Sequence, residues 1–164
     1  MGESWKKEVV EVIILSAIYI ILGNARSIQP NPFIPGAAIA VNMIVPIIAG
    51  ILFGRYVGLA TGIIGTTLNM FTPAGTIYEA LAIAPHGIMG FVAGYLRNRL
   101  AMPFIACSII IGHALNMTAF ILYNLVPLAT VYTAKFWYGF SYEVLVEVIA
   151  IIIIVTIYKA TFEK

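Results

Sequence analysis

Two glutamates one helical turn apart, Glu143 and Glu147, stand in an otherwise apolar stretch of this 164-residue chain. Residues four apart lie on one face of a helix, where two carboxylates repel each other. Ionisable side chains are costly in apolar surroundings and commonly mark a functional site. The pair needs a cation, a proton or a polar ligand close by, and we predict that Glu143 contributes to a binding site.

Two further segments carry isolated polar side chains. Glu79 and His86 are seven residues apart, which places them on one face of a helix. His113 and Asn116 begin a second stripe, spaced by three to four residues, that continues to Tyr123. These side chains suit hydrogen bonding to a ligand, although His113 and Asn116 also suit bonding to each other or to a neighbouring helix.

Aromatic residues precede the two glutamates. Trp137, Tyr138 and Tyr142 supply large apolar surfaces beside a few polar groups, which is the usual make-up of a small-molecule pocket. The same rings also suit an aromatic belt at a membrane interface. The candidate substrate-binding residues are Arg26, Gln29, Asn31, Glu79, His86, Asn116, Tyr123, Trp137, Tyr138, Tyr142 and Glu143.

Motifs of catalysis and of cofactor binding are missing from the sequence. The patterns GxxxxGK[ST], HExxH and GxSxG do not occur, so a P-loop, a zincin site and a serine nucleophile elbow are excluded. His86, His113 and Glu147 suit a metal by residue type, but they come from three segments without a diagnostic spacing. The single Cys107 excludes a disulfide framework. We predict no catalytic residue, no metal and no cofactor, and hence no enzyme.

The composition determines which elements position these side chains. Hydrophobic residues make up 62% of the chain, charged residues 10%, and the mean hydropathy is +1.01. Soluble domains carry about a quarter charged residues, so a soluble globule and a disordered chain are excluded. A net charge of +2 is too small for a nucleic-acid-binding surface. We predict a single integral membrane domain over residues 1–164, in contact with membrane lipid.

Stretches free of charged residues predict an all-α bundle of six transmembrane helices, because about 20 apolar residues cross a bilayer. The predicted helices span roughly residues 8–24, 36–54, 57–71, 77–97, 101–125 and 138–160. Pro30, Pro32 and Pro35 forbid a continuous helix between the first two spans. This segment is therefore predicted to form a structured outer loop.

The basic residues predict the orientation, because lysine and arginine mark cytoplasmic loops. With the N-terminus inside, the inner side holds Lys6, Lys7, Arg55, Arg97, Arg99, Lys159 and Lys164, and the outer side only Arg26 and Lys135. We therefore predict a multi-pass protein of the cell membrane with both termini in the cytoplasm. A cleaved signal peptide over residues 1–25 is less favoured, because Glu8 and Glu11 interrupt its basic region.

In this orientation nearly all buried polar groups fall in the outer half of the bundle, whereas the inner half is aliphatic. A channel needs polar groups along its whole depth, so the distribution favours an outward-facing pocket. Glycines recur at intervals of three or four residues, which allows helices to approach closely. They are Gly50, Gly54, Gly58 and Gly62 on the second and third spans and Gly87, Gly90 and Gly94 on the fourth. We favour packing within the bundle over a docking face as their role.

Two stretches resemble the substrate-binding (S) components of energy-coupling-factor (ECF) vitamin transporters. They are NMIVPIIAGILFGRYVG at residues 42–58 and APHGIMGFVAG at residues 84–94. Around residues 36–94 the thiamine-precursor branch of that family is the most similar. The six spans and the proline-rich loop extend the resemblance in architecture over the whole chain.

This resemblance implies a transport subunit that captures a vitamin or precursor from outside. The loop from Arg26 to Pro35 would act as a lid, and the pocket would lie in the outer halves of helices four to six. A coupling transmembrane subunit and two ABC-type ATPases would drive release inside. Family members dock through an Ala-x-x-x-Ala repeat in the first helix, which Ile21 interrupts here between Ala17 and Ala25. The glycines of helices two and three are then an alternative docking face.

Two other functions remain open from the residues alone. A non-transporting scaffold subunit of a cell-envelope complex would use its polar residues only to join helices, and it predicts neither a pocket nor a ligand. An intramembrane enzyme would use Glu143, Glu147 or a histidine as an acid or base, but no nucleophile–base pair is visible.

Overall fold

The computed structural model describes residues 4–25, 30–34, 38–97 and 102–162. Six α-helices make up most of these residues, and no β-strand occurs among them. The helices are α1 (Ser4–Asn24), α2 (Ile44–Phe53), α3 (Arg55–Asn69), α4 (Ile77–Tyr95), α5 (Met102–Leu122) and α6 (Ala134–Phe162). The predicted all-α six-helix bundle is confirmed.

Helix α2 begins later than residue 36, the start that the sequence predicts. Ala38 pairs with Pro30 in an isolated antiparallel bridge, and the Ala40 N–H donates to Oε1 of Glu143 at 2.8 Å. A short 3-10 turn, Val41–Met43, then leads into the helix. These two interactions keep the chain out of the helix up to Ala40. The outer loop therefore continues further along the sequence than its prolines alone suggest.

Helix α2 forms the centre of the bundle. Every residue from Ile44 to Ile51 is buried, and the helix packs against α1, α3, α4 and α6. Its ten residues extend about 15 Å, half of the ~30 Å hydrocarbon thickness. By length and composition, α4, α5 and α6 are the described helices able to cross a membrane. A helix surrounded by protein does not need the full length of a lipid-exposed span.

Glycines allow α2, α3 and α4 to pack with their backbones in contact. A Cβ atom on Gly90 would lie closer than 3.0 Å to the carbonyl oxygens of Gly58 and Pro46. A Cβ atom on Gly50 or on Gly58 would meet the carbonyl oxygen of Gly90 in the same way, and one on Gly62 would meet the backbone of His86. The predicted role of these glycines in internal packing is confirmed. All of them except the partly exposed Gly54 are buried within the bundle, which argues against a docking face built on them.

One residue, Gly54, connects α2 to α3. Its φ of 108° and ψ of 164° lie in a region that L side chains rarely adopt, which is why glycine stands at this reversal. The tight helical hairpin predicted around Arg55 is therefore present. Helix α3 begins directly at that arginine.

Most of the basic residues that the structure describes lie at one end of the bundle, which we call the basic end. Glu8, Arg55 and Arg97 line one cavity there, and the ring of Phe53 contacts that of Tyr158, beside Lys159. Helix α1 begins and α6 ends at this end, whereas Lys135 lies at the opposite one. The positive-inside rule favours the cytoplasm for the basic end.

Candidate functional site

At the opposite end, which we call the lid end, residues 30–34 pack on the start of α6. Asn31 Nδ2 donates to the carbonyl oxygen of Gly139 at 3.1 Å, and its Oδ1 accepts from the N–H groups of Phe33 and Ile34. The side chain of Ile34 occupies the space that a Cβ on Gly139 would need. We call residues 30–34 the lid segment.

Two aromatic contacts extend this packing. The ring of Phe33 lies 5.7 Å from that of Tyr142 and 6.2 Å from that of Tyr138, measured between centroids. The exposed tyrosine rings are thus partly covered by the lid segment. Any molecule that enters between the lid segment and α6 meets aromatic surfaces on both sides.

Replacing Asn31 by alanine is expected to release the lid segment from α6. The substitution removes one bond to Gly139 and two bonds to backbone N–H groups, each contributing about 1 kcal/mol. Hydrogen exchange of the backbone amides of Phe33 and Ile34 should then accelerate relative to the wild-type chain.

Asn31→Asp is the matched control for this prediction. The aspartate retains an oxygen that accepts from Phe33 and Ile34 but loses the donor to Gly139. Its exchange should fall between that of wild type and that of Asn31→Ala. Equal protection in all three proteins would contradict the role of Asn31 in closing the lid segment.

Polar side chains from α1, α3, α4 and α5 meet around His86. Its Nδ1 lies 2.6 Å from the Tyr19 hydroxyl and 2.9 Å from Thr66 Oγ1, and its Nε2 lies 3.2 Å from Asn116 Nδ2. The Tyr19 hydroxyl also lies 3.4 Å from Glu79 Oε2. All five side chains are buried. We call Tyr19, Thr66, Glu79, His86 and Asn116 the His86 cluster.

The donor pattern indicates how a proton is held in this cluster. In the orientation that the Asn116 amide has here, its Nδ2 donates to His86 Nε2, and this orientation assigns the ring proton to Nδ1. Nδ1 then donates to a hydroxyl, and the Tyr19 hydroxyl is placed to donate to Glu79. The arrangement is a hydrogen-bonded chain from α5 to α4 through a tyrosine of α1.

A second group joins α5 and α6. His113 Nε2 lies 3.3 Å from Glu147 Oε2, and Glu143 stands one turn before Glu147 on α6. One ligand-type atom from each of the three side chains lies within 4.8 Å of the others. We call these three residues the His113 cluster. The ring of Phe140 covers His113 edge-on, at 5.4 Å between centroids.

The predicted site residues that the structure describes fall into three sets. Glu79, His86 and Asn116 meet in the His86 cluster, and Asn31, Tyr138 and Tyr142 meet at the lid segment. Glu143 binds the Ala40 N–H beside them. Tyr123 and Trp137 are instead mainly exposed near the lid end, and Trp137 Nε1 donates to the Val131 carbonyl. Arg26 and Gln29 lie outside the described residues.

Tyr19 and Thr66 were not among the site residues that the sequence predicted. Tyr19 is fully buried although α1 is otherwise largely exposed on one side. A usable signal was the spacing of Ser16 and Tyr19, the polar residues of an apolar run, on one face of α1. Thr66 carried no such signal, because small hydroxyl residues are common in membrane helices.

Most polar side-chain atoms of the two clusters contact one another, but Asn116 Oδ1 and Glu147 Oε1 are buried without a hydrogen-bond partner among the described residues. A molecule that entered there would have to replace some of these bonds or move the lid segment. A cavity of about 440 Å³ lies at the basic end instead, where Glu8, Arg55, Tyr56, Tyr95 and Arg97 are among its lining residues. None of the predicted binding residues lines that cavity.

Residues 5–161 match a sequence model of the family described as ECF-type riboflavin transporter, S component. The chain is also similar to curated proteins named UPF0397. The one from Phytoplasma australiense is 29% identical over 98 residues, which cover 60% of this chain and 49% of the relative. The one from Streptococcus gordonii is 35% identical over 94 residues, covering 57% and 48%.

A third relative is similar over a comparable share of both chains. The UPF0397 protein of Lactobacillus helveticus is 36% identical over 96 residues, covering 57% of this chain and 49% of the relative. The chain spans about half the length of the curated relatives it matches. No solved structure matches it significantly.

Proposed function

The chain belongs to the S component family of ECF-type riboflavin transporters, and on that premise we propose that it captures a vitamin-sized molecule outside the cell. This family consists of transport subunits and not of enzymes. The proposed location is the cell membrane, with several spans and the basic end in the cytoplasm.

The observation that carries this proposal is the convergence at the lid end. The lid segment packs on the aromatic start of α6, and Glu143 on the next turn binds the Ala40 N–H that follows the lid segment. Movement of the lid segment would therefore expose aromatic rings and a carboxylate together. Large apolar walls with a few orienting polar groups are typical of small-molecule sites.

In the proposed site each predicted residue has a role. Tyr138 and Tyr142 stack on a planar ring of the ligand, and Glu143 accepts hydrogen bonds from its donor groups. Glu79, His86 and Asn116 bind at the deeper end, where Oδ1 of buried Asn116, which has no hydrogen-bond partner among the described residues, offers an acceptor. Asn31 closes the site together with Arg26 and Gln29, while Tyr123 and Trp137 line its entrance.

The substrate we propose is a planar heterocyclic vitamin or vitamin precursor. The family description names riboflavin, and the resemblance of residues 36–94 favours a thiamine precursor. Both are planar rings with hydrogen-bond donors, which suits tyrosine rings beside a carboxylate.

The partners that we propose are a coupling transmembrane subunit and two ABC-type ATPases. They would supply the energy, because the sequence holds no P-loop of its own. Helix α1 exposes Ile13, Ile14 and Ile21. We propose that this aliphatic face meets lipid and the coupling subunit.

Binding of riboflavin and of a hydroxymethylpyrimidine to the purified protein tests this function. Replacing Glu143 by glutamine should weaken binding of the true substrate roughly 10- to 150-fold, as expected for loss of a charge-assisted hydrogen bond of about 1.5–3 kcal/mol. Quenching of riboflavin fluorescence and isothermal titration calorimetry measure the two affinities.

The matched control is Glu11→Gln. Glu11 pairs with Lys7 on α1, 3.9 Å away, at the basic end. Its substitution should leave the affinity unchanged. If no vitamin or precursor binds to the wild-type chain, the scaffold function is favoured. If ligand binds equally to wild type and Glu143→Gln, the proposed site is wrong.

A further inference from the structure

The His113 cluster brings three metal-ligand atoms together. One imidazole nitrogen and two carboxylate oxygens, from His113, Glu143 and Glu147, lie within 4.8 Å of one another. Two helices hold them: α5 provides the histidine, and consecutive turns of α6 provide the glutamates. Sequence spacing does not reveal this set, because the histidine lies 34 residues from Glu147.

One carboxylate oxygen in the cluster has no partner. Glu147 is 1% exposed, and its Oε2 faces His113. Its Oε1 is buried without a hydrogen-bond partner in the part of the chain that the structure describes. Buried carboxylate oxygens are normally hydrogen-bonded or bound to a cation, because leaving one without a partner is costly. The orphaned oxygen indicates a missing positive or donor group at this point.

The charges in the cluster point to a divalent cation. Two carboxylates face one imidazole. Among the described residues, the only ion pair that includes either carboxylate is His113–Glu147. A divalent ion neutralises both carboxylates while the imidazole remains neutral, the form in which histidine binds metals. An apolar bundle favours such a neutral arrangement over an excess negative charge.

The distances and donor types suit a first-row transition metal. Ligand atoms around a tetrahedral zinc lie about 3.3 Å apart, given bonds of about 2.0–2.2 Å. The His113 and Glu147 atoms already have this separation, at 3.3 Å. The ligand atom of Glu143 lies within 4.8 Å of both. Its Oε1 accepts from the Ala40 N–H, a contact of the kind that orients metal-binding carboxylates.

We propose that His113, Glu143 and Glu147 bind one divalent first-row transition metal ion, such as Zn²⁺ or Co²⁺. Three protein ligands leave the ion an open position for water or for a ligand atom. The site does not rest on the proposed vitamin capture, because the chain itself supplies all three protein ligands.

Metal binding to the purified full chain, without any vitamin and with the purification tag removed, tests this proposal. After incubation with Zn²⁺ and gel filtration, mass spectrometry of the metal content should give one Zn²⁺ per chain. The Co²⁺-loaded protein should show the visible absorption of a four- or five-coordinate ion. X-ray absorption of the Zn²⁺ form should show one imidazole among oxygen ligands, a result that requires no variant.

Variants locate the site. His113→Ala and Glu147→Gln should each weaken Zn²⁺ binding roughly 100-fold or more, above the 10–100-fold that loss of an outer-shell partner costs. Glu11→Gln, at the basic end, is the matched control and should bind like wild type. Gel filtration checks folding, and Glu143→Gln replaces any variant that aggregates.

Two results would overturn the metal site. One is a wild-type chain that retains no stoichiometric Zn²⁺ or Co²⁺. The other is a folded His113→Ala or Glu147→Gln chain that retains as much metal as the wild type. Neither result bears on riboflavin or pyrimidine binding, so failure of the metal site and failure of vitamin capture are distinguishable.

Discussion

Gly90→Ala is expected to destabilise the folded bundle by about 3 kcal/mol or more, at the upper end of the range for overpacked cores. The added Cβ would be closer than 3.0 Å to the carbonyl oxygens of Gly58 and Pro46. Both are backbone atoms of buried helices, which cannot move without separating α2, α3 and α4. Unfolding of the detergent-solubilised protein by increasing fractions of SDS, followed by circular dichroism, measures the difference.

The control for Gly90 is Gly112→Ala on α5. A Cβ there would meet the end of the Met89 side chain, a flexible thioether that can rotate away. Alanine also favours the helix over glycine by about 1 kcal/mol. The stability of this variant should therefore remain close to that of wild type. Equal stability of Gly90→Ala and wild type would show that the three backbones are not in contact.

His86→Leu is expected to cost about 3 kcal/mol of stability, because it removes the centre of a buried hydrogen-bond network. The side chain contacts Tyr19, Thr66 and Asn116 on three other helices. Leucine fills similar space but accepts no hydrogen bond, so Asn116 Nδ2 is left without an acceptor. The same SDS titration measures this loss.

A double-mutant cycle separates the network from simple packing. Replacing both His86 and Asn116 by leucine should cost less than the two single changes together, by roughly 1–3 kcal/mol, because no unsatisfied partner remains. Thr118→Val, whose exposed hydroxyl bonds only its own helix, should change stability by about 0.5 kcal/mol or less. Strict additivity of the two leucine substitutions would contradict the contact between His86 and Asn116.

The helical bundle could be predicted because the relevant signals are local. Charge-free runs indicate helices, and glycines spaced by four indicate close helix packing, which the contacts of Gly50, Gly58 and Gly90 confirm. The start of α2 could not be predicted in the same way. It depends on a bond between the Ala40 N–H and Glu143, two groups 103 residues apart.

The candidate site was only partly predictable for the same reason. Periodicity places Glu79 and His86 on one face, and both do reach Tyr19. Periodicity cannot show which helix faces that stripe, so Tyr19 and Thr66 were missed. The stripe containing His113 and Asn116 in fact divides, because these residues contact Glu147 and His86 on different helices.

The attachment of the lid segment to α6 affects how this end of the protein opens. Asn31 is bonded to Gly139, and Ala40 is bonded to Glu143 one turn further along the same helix. These two hydrogen bonds couple the lid segment and the backbone at Ala40 to α6. A tilt of α6 away from the three glycine-packed helices α2, α3 and α4 would then carry the lid segment with it. Opening in that way keeps both hydrogen bonds, and it therefore differs from release of the lid segment from α6.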